Sequence, residues 1–191
     1  MVTQHQQSSP GAGPSFASIS LRPPFLADAK RLADAGDYAE VADTMISVPS
    51  PFRIEDAEAW IAETSARSDI DSYVISSEVD NSIVGAAELR DIDLRHRQAE
   101  ASFWITPQYW GQGYASVALA ELVRIGVDRH GLNRIYAYHM ARNPASGRVL
   151  SKCGFHFEGR LRERVWKSGC AEDAMLWSRL ASDLPRIDIL A

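Results

Sequence analysis

The chain has 191 residues, of which 46% are apolar and 24% are charged, as expected for one globular domain and not for a disordered chain. Its formal net charge of −5 argues against a nucleic-acid-binding protein, because such proteins usually present a basic face. The two cysteines and five histidines do not stand at the spacing of metal ligands, so we expect no metal site.

The two ends of the chain differ in composition from the middle. Residues 1–18 are rich in Gln, Ser, Gly and Pro and lack the basic and apolar stretches of a signal peptide, which predicts a flexible N-terminal tail. A single domain is expected over residues 19–181, with a C-terminal extension over residues 182–191. No apolar run is long enough to span a bilayer, and the cytoplasm is the expected compartment.

The first half of the domain shows a strand, two helices and then three strands. In chain order we predict a strand over residues 19–22, helices over 25–35 and 54–66, strands over 72–79 and 83–90, a charged loop over 91–97 and a strand over 98–105. Alternating polarity indicates the strands, and apolar residues at a period of 3.6 indicate the helices. Asp80 and Asn81 are typical of a hairpin turn, and Gly36 is positioned to end the first helix.

The second half alternates helices with strands. We predict a helix over residues 113–129, a strand over 134–140, a short helix from Asn143 to Gly154, and a hairpin of strands over 155–166 and 172–180. The order indicates a mixed α/β (α+β) domain with a single central β-sheet of about seven strands flanked by helices. The strands on either side of the helix over residues 113–129 should be parallel neighbours, because a helical crossover joins parallel strands.

The segment TPQYWGQGYA, residues 106–115, lies between a predicted strand and a long predicted helix. The first turn of a helix leaves backbone N–H groups without partners, its dipole makes that end positive, and glycines let a ligand approach closely. The combination is suited to a pyrophosphate. The candidate phosphate-binding residues are Trp110, Gly111, Gln112, Gly113, Tyr114 and Ala115. The alternative is a glycine-containing turn before an ordinary helix, and neither standard nucleotide fingerprint fits the segment.

Two blocks of the sequence resemble motifs A and B of the GNAT N-acyltransferase superfamily. Residues 100–115 (EASFWITPQYWGQGYA) resemble motif A and are most similar to the ribosomal-protein-alanine N-acetyltransferase (RimJ/RimL-like) branch. Residues 143–146 (NPAS), followed by residues 152–155 (KCGF), resemble motif B. The resemblance covers residues 19–180. It implies the GNAT fold, in which the fourth and fifth strands splay apart, and transfer of an acetyl group from acetyl-CoA to an amine.

The sequence departs from the family pattern at two places in motif A. In the register that we prefer for the family's [QR]-x-x-G-x-[GA] pattern, Trp110 stands where relatives carry Gln or Arg. The other register covers residues 108–113. Because the phosphates are bound mainly through backbone N–H groups, the departure at Trp110 is tolerable. Ser116 and Val117 stand where this branch commonly has Thr and Glu, which weakens an assignment to a ribosomal-protein modifier.

The resemblance implies roles for residues of the fourth strand. Glu100 is the candidate base that accepts the proton of the amine, and its alternative role is that of a surface carboxylate at a strand start. The main chain of Trp104, Ile105 and Thr106 would pair with the pantetheine arm, and one of its N–H groups would polarise the thioester carbonyl. The side chains of Phe103 and Trp104 are expected to belong to the core.

Motif B implies the remaining cofactor contacts. Many relatives have, seven residues after the motif-B Asn, a Tyr that acts as the general acid for the leaving thiolate. This position is Leu150 here. The RimL-like branch has a Ser three residues after this Asn, as this chain does, and the resemblance implies that Ser146 is the thiol partner or proton donor. It also implies that Asn143 holds the pantetheine amides. The alternative for both is to cap the short helix. Arg148 is a candidate contact to the ribose 3′-phosphate.

The acceptor is predicted only as a primary amine, either a small molecule or a protein N-terminus. An α-amine has a pKa of about 7.7–8.0 against about 10.4 for lysine, so its deprotonation costs ~3.4 kcal/mol less. Two alternatives stay open: a non-catalytic acyl-CoA-binding sensor or partner-binding module on the same fold, and an unrelated α/β binding domain. Relatives are often homodimers, and the sequence itself shows no interface.

Overall fold

A computed structural model describes residues 18–183, and the predicted tail (residues 1–18) and extension (residues 182–191) lie outside this range except for Ser18, Ser182 and Asp183. The described chain contains seven strands: β1 (Ile19–Arg22), β2 (Asp71–Ser77), β3 (Ile83–Asp93), β4 (Gln98–Ile105), β5 (Arg134–Met140), β6 (His156–Lys167) and β7 (Cys170–Leu180). They form one mixed sheet in the order β1-β2-β3-β4-β5-β7-β6. The predicted fold class and strand number are confirmed.

Five α-helices flank the sheet within residues 18–183: α1 (Ala29–Gly36), α2 (Ala39–Thr44), α3 (Ile54–Ala66), α4 (Tyr114–Asp128) and α5 (Pro144–Lys152). The helix α4 connects β4 to β5 and buries Ala118, Leu119 and Leu122 completely against the sheet. Each buried leucine contributes about 2 kcal/mol to folding through removal of its apolar surface from water. None of the described helices has the length and apolar character needed to cross a membrane.

The first half of the domain differs from the sequence prediction at three places. The helix predicted over residues 25–35 starts later, because a 3-10 turn at Leu26–Asp28 precedes α1. The loop predicted over residues 91–97 is shorter, because Asp93 still pairs with Gln98 and extends β3 to that residue. The helix α2 falls in a segment for which the sequence indicated no regular structure.

The parallel strands β4 and β5 are paired only at their beginnings. Their register covers three pairs, Gln98 with Arg134, Ala99 with Ile135 and Glu100 with Tyr136. Beyond Glu100, β4 stays paired with β3 and β5 stays paired with β7 on their other edges. The predicted splay of the fourth and fifth strands is confirmed, and it opens a gap in the middle of the sheet.

Gly85 is required where β3 lies beside the last residue of β4. It pairs with Ile105, and a Cβ atom at this position would lie 2.1 Å from the backbone oxygen of Trp104. We expect Gly85→Ala to lower the free energy of unfolding by about 3 kcal/mol, because a main-chain oxygen cannot move aside as a side chain can. Urea denaturation measures the effect.

The matched control for this substitution is Gly159→Ala. Gly159 also lies in a strand, but a Cβ atom there would meet no atom within 4 Å. Its free energy of unfolding should stay within about 0.5 kcal/mol of the wild type. Equal stability of the two variants would contradict the close approach of β3 to the end of β4.

Candidate active site

The start of α4 carries backbone N–H groups that the described chain leaves free. Gly113 is the N-cap at φ 90°, and no described side chain caps the helix. The first N–H with a partner is that of Ser116, which donates to the oxygen of Gly113 at 3.0 Å. The N–H groups of Tyr114 and Ala115 point out of the helix end, where the dipole is positive. This arrangement can bind an anion.

The glycines keep the space in front of the helix end open. Gly111 has a φ of 73° and Gly113 a φ of 90°, a left-handed backbone that favours glycine. A Cβ atom at either residue would meet no protein atom within 4 Å. A ligand can therefore approach the main chain at both positions.

The helix end opens into a cleft of about 490 Å³, which we call the cofactor cleft. Ten of the predicted cofactor-binding residues line it: Trp104, Ile105, Trp110, Gly111, Gly113, Tyr114, Ala115, Asn143, Ser146 and Arg148. Among the residues of this lining that the structure describes, only Arg148 and Lys152 are charged, so the lining is positively charged. A polyanion would fit the charge of this lining.

Two other predicted cofactor residues do not line this cleft. Thr106 is buried, its N–H donates to Val84 at 2.9 Å, and its hydroxyl donates to the oxygen of Ala35 at 2.9 Å. The side-chain amide of Gln112 donates to the oxygen of Gln108 at 2.9 Å. The main-chain groups of Thr106 and the side chain of Gln112 are thus occupied within the chain.

The bond from Thr106 to Val84 also decides which residues of β4 face the gap. Neighbouring residues of a strand direct their backbone groups to opposite sides, so Trp104 shares the direction of Thr106 and faces β3. Phe103 and Ile105 therefore direct their backbone groups into the gap. Of the three residues that the sequence analysis assigned to this edge, only Ile105 faces it, because the period of the strand is two.

Trp110 closes the turn between β4 and α4. Its indole N–H donates to the backbone oxygen of Ile105 at 2.6 Å, and the side chain remains 47% exposed. The bond occupies the carbonyl of Ile105 and leaves its N–H facing the gap. Trp110, at a position where relatives carry Gln or Arg, therefore has a structural role in this turn.

Motif B forms the start of α5. The side-chain oxygen of Asn143 accepts from the N–H of Ser146 at 3.3 Å, and its amide donates to the hydroxyl oxygen of Ser146 at 3.0 Å. Asn143 therefore caps the helix, which was the alternative interpretation of this residue. Because the hydroxyl oxygen of Ser146 accepts from Asn143, its own hydrogen remains available to donate.

A second cleft of about 280 Å³, which we call the acceptor cleft, lies on the other side of the gap. Its charged lining residues are Arg90, Asp91 and Glu100. Four residues line both clefts: Thr44, Met45, Phe103 and Ser146. The two clefts therefore meet between the splayed strands, with Ser146 at the junction and Glu100 on the acceptor side.

Comparison with known proteins shows the family to which the domain belongs. The profile of a family described as an acetyltransferase (GNAT) domain matches residues 18–156. The chain belongs to the GNAT acetyltransferase family. The resemblance drawn from motifs A and B is confirmed.

Three GNAT relatives illustrate the range of similarity. The chain is 34% identical over 96 residues to the uncharacterized N-acetyltransferase YoaA of Bacillus subtilis, and this match spans about half of each protein, 50% of this chain and 54% of YoaA. It is 26% identical to the spermidine N(1)-acetyltransferase of Escherichia coli, over 85% of this chain and 86% of that protein. Mycobacterium smegmatis RimJ in complex with CoA-disulfide shares the fold, with a TM-score of 0.81, 22% identity, and coverage of 88% and 84%.

The carboxyl group of Glu100 has a pKa well above the ordinary value for a glutamate. Burial raises its pKa most, and the nearby carboxylate of Asp91 raises it further, to about 7, although Arg90 and Arg164 oppose the shift. No described side chain makes a hydrogen bond to this carboxyl group. Near neutral pH it is present in both its acidic and its basic form, as general acid–base catalysis requires.

His139 and Arg142 lie beside the gap but are committed to other groups of the chain. The Nδ1 of His139 contacts the oxygen of Met140 at 2.9 Å, and its Nε2 accepts from the indole of Trp177 at 3.2 Å. These partners require a neutral ring with the proton on Nδ1. Arg142 pairs with Asp43 and with a carboxylate of β7. We assign structural roles to both.

One segment of the site, residues 44–47, was not predicted from the sequence. Thr44, at the end of α2, and Met45 line both clefts, while Ile46 and Ser47 line the acceptor cleft. The segment has no glycine pattern and no alternation, so it gave no signal. Its place over the gap depends on contacts to residues about a hundred positions later in the chain.

Proposed function

We propose that the chain is an N-acetyltransferase that moves the acetyl group of acetyl-CoA directly to a primary amine in a ternary complex. One observation carries the proposal: the free N–H groups at the start of α4 and the gap between β4 and β5 belong to one cleft, which opens toward Glu100. An anion site alone would suit many ligands. An anion site that continues through a sheet toward a carboxyl group of raised pKa suits acyl transfer.

Acetyl-CoA, when bound, supplies an activated thioester. The N–H groups from Gly111 to Ala115 would hold its diphosphate, and Arg148 at the cleft wall would meet the 3′-phosphate. The backbone of Phe103 and Ile105 offers the free strand edge that a pantetheine arm pairs with, and the N–H of Ile105 is placed to act as an oxyanion donor. The donor set of the cleft fits the cofactor, because the cleft combines cationic walls with an open main-chain edge.

Glu100 would take the proton of the attacking amine. With a pKa of about 7 it is nearly matched to an α-ammonium group, for which the proton transfer is close to thermoneutral. Transfer from a lysine ammonium group at pKa about 10.4 is uphill by ~4.6 kcal/mol. We therefore propose an α-amine of a protein N-terminus, or a small amine of comparably low pKa, as the preferred acceptor. The carboxylate of Asp91 would favour the cationic form of the acceptor on entry.

Ser146 would donate a hydrogen bond from its hydroxyl group to the departing sulfur, because it lies at the junction of the clefts with a free O–H. The hydroxyl group keeps its proton, and the thiolate takes a proton from water after it has left. We expect Ser146→Ala to lower kcat by about tenfold to a hundredfold, since the sulfur then leaves without a donor. The dissociation constant for CoA should change less than about twofold. Steady-state kinetics and calorimetry measure the two quantities.

Ser151→Ala is the matched control, because Ser151 is exposed on the same helix α5. It should behave as the wild type in both measurements. A Ser146→Ala variant with unchanged kcat would show that another group, or water, donates to the departing sulfur.

The proposed function is tested with acetyl-CoA and a panel of amines. The panel contains peptides with a free N-terminus, peptides with a blocked N-terminus and a free lysine, and spermidine. Thiol release and a mass increase of one acetyl group in the amine support the transferase. A thermal shift with CoA but no thiol release for any amine would favour a non-catalytic acyl-CoA-binding sensor, and no shift with CoA would contradict the cofactor site.

A further inference from the structure

Residues 39–47, which comprise α2 and the three residues after it, cross the mouth of the gap between β4 and β5. We call this segment the strap. Val41, Thr44 and Met45 contribute to the lining of the cofactor cleft, and Met45 also lines the acceptor cleft. The strap is therefore the one part of the N-terminal third of the described chain that faces both clefts. Its position decides how wide the junction is.

The strap is too short to hold its own shape. The helix α2 has six residues, no side chain caps it, and isolated helices of this length are unstable in water. Val41 and Ala42 are buried, which gives it an apolar attachment on its inner side. Its outward-facing side, where Asp43 lies, needs a further contact with the rest of the domain.

Arg142 provides that attachment from the far side of the gap. Its Nη1 pairs with the Oδ2 of Asp43 at 2.5 Å and its Nη2 donates to the backbone oxygen of Asp43 at 2.7 Å. Its Nε donates to the carboxylate of Glu172 on β7 at 2.7 Å. One guanidinium group thus joins the strap to the sheet, and Lys167 adds a hydrogen bond to the oxygen of Met45.

We infer that Arg142 is a positioning residue that anchors the strap across the junction of the clefts and thereby sets the affinity for the amine acceptor. This inference rests on the proposed function. Without the guanidinium group, the strap keeps only its buried residues Val41 and Ala42 and the hydrogen bond from Lys167 to Met45, so it moves outward more readily. The acceptor cleft then loses the wall formed by Met45, Ile46 and Ser47, while the N–H groups at the start of α4 are untouched.

The test compares Arg142→Ala with Arg124→Ala in the full-length chain. Arg124 is the matched control, because it pairs with two carboxylates on the outer face of α4. We expect the KM for the amine to rise about tenfold in Arg142→Ala, as befits the loss of charged hydrogen bonds, and the dissociation constant for CoA to stay within about twofold. Hydrogen exchange should accelerate over residues 39–47 in this variant and not in the control.

The double variant Asp43→Asn, Arg142→Ala identifies the partner. If Arg142 acts through Asp43, the double variant raises the KM for the amine no further than Arg142→Ala alone. An unchanged KM for the amine with unchanged exchange over residues 39–47 would overturn the inference. Should the wild type transfer no acetyl group, the proposed function fails, and the exchange experiment still decides whether Arg142 anchors the strap.

Discussion

Gly113→Val should bind CoA at least about a hundredfold more weakly than the wild type, a loss of ~2.7 kcal/mol. The valine side chain would fill the open space in front of the first turn of α4, where a Cβ atom now meets nothing within 4 Å. The diphosphate would lose its approach to two or more charge-assisted N–H bonds. Isothermal titration calorimetry with CoA measures the change.

The substitution also strains the backbone, because Gly113 has a φ of 90°. Gly131→Val is a control for this strain. Gly131 follows the opposite end of the same helix, has a φ of 64°, and is likewise surrounded by open space. Both variants should lose stability, and only Gly113→Val should lose CoA affinity. Wild-type affinity in Gly113→Val would place the phosphate site elsewhere.

Glu100→Gln should lower kcat/KM about a hundredfold at pH 7, and much less at high pH, where the amine is already neutral. The wild-type rate should rise with pH through about 7, because the carboxylate form that accepts the proton becomes populated there. The variant should lack this rise. Equal losses at both pH values would argue that Glu100 is not the base.

Asp91→Asn tests the cause of the shifted pKa. The carboxylate of Asp91 raises the pKa of Glu100 by repulsion, so its removal should move the rise in kcat to lower pH and leave the plateau of kcat in place. Asp91 has a φ of 49°, a conformation that asparagine tolerates, so the substitution adds little strain. An unmoved profile would mean that Asp91 does not contribute to the raised pKa of Glu100.

The raised pKa of this carboxyl group also makes the free energy of unfolding depend on pH. Between its ordinary pKa of 4.5 and about 7, the folded chain binds more protons at Glu100 than the unfolded chain does. The free energy of unfolding therefore falls as the pH rises through this window, and the penalty is complete above it. Glu100→Gln removes the penalty. At pH 8 the variant should melt above the wild type, and near pH 4 the two should melt together.

The parts of the fold that the sequence predicted are those with long periodic patterns and clear end signals. The predicted bounds of α3 (Ile54–Ala66), β4 (Gln98–Ile105) and β5 (Arg134–Met140) agree with the structure. Alternation indicated the strands, and two glycines marked the turn into α4. Most residues predicted to bind the cofactor line one cleft, because they lie in two contiguous motifs, whereas Val41, Thr44 and Met45 of the same lining could not be predicted.

The parts that could not be predicted depend on residues distant in the chain. The helix α2 has six residues and is held by Arg142, 99 positions from Asp43, so no local pattern announces it. The wall of the acceptor cleft formed by residues 44–47 could not be predicted for that reason. The edge of β4 was assigned partly to the wrong residues, because the direction of each backbone group depends on the pairing of Thr106 with β3.

The splay and the uncapped helix start make recognition of the cofactor largely a property of the main chain. Amides at residues 113–115 and along β4 are present whatever side chains those residues carry, so most substitutions there leave the donors in place. Cofactor binding should be most sensitive to substitution of the glycines, because their missing side chains leave room for the ligand. The side chains that line the site, and with them the specificity for the amine, can therefore diverge during evolution while binding of the nucleotide carrier is retained.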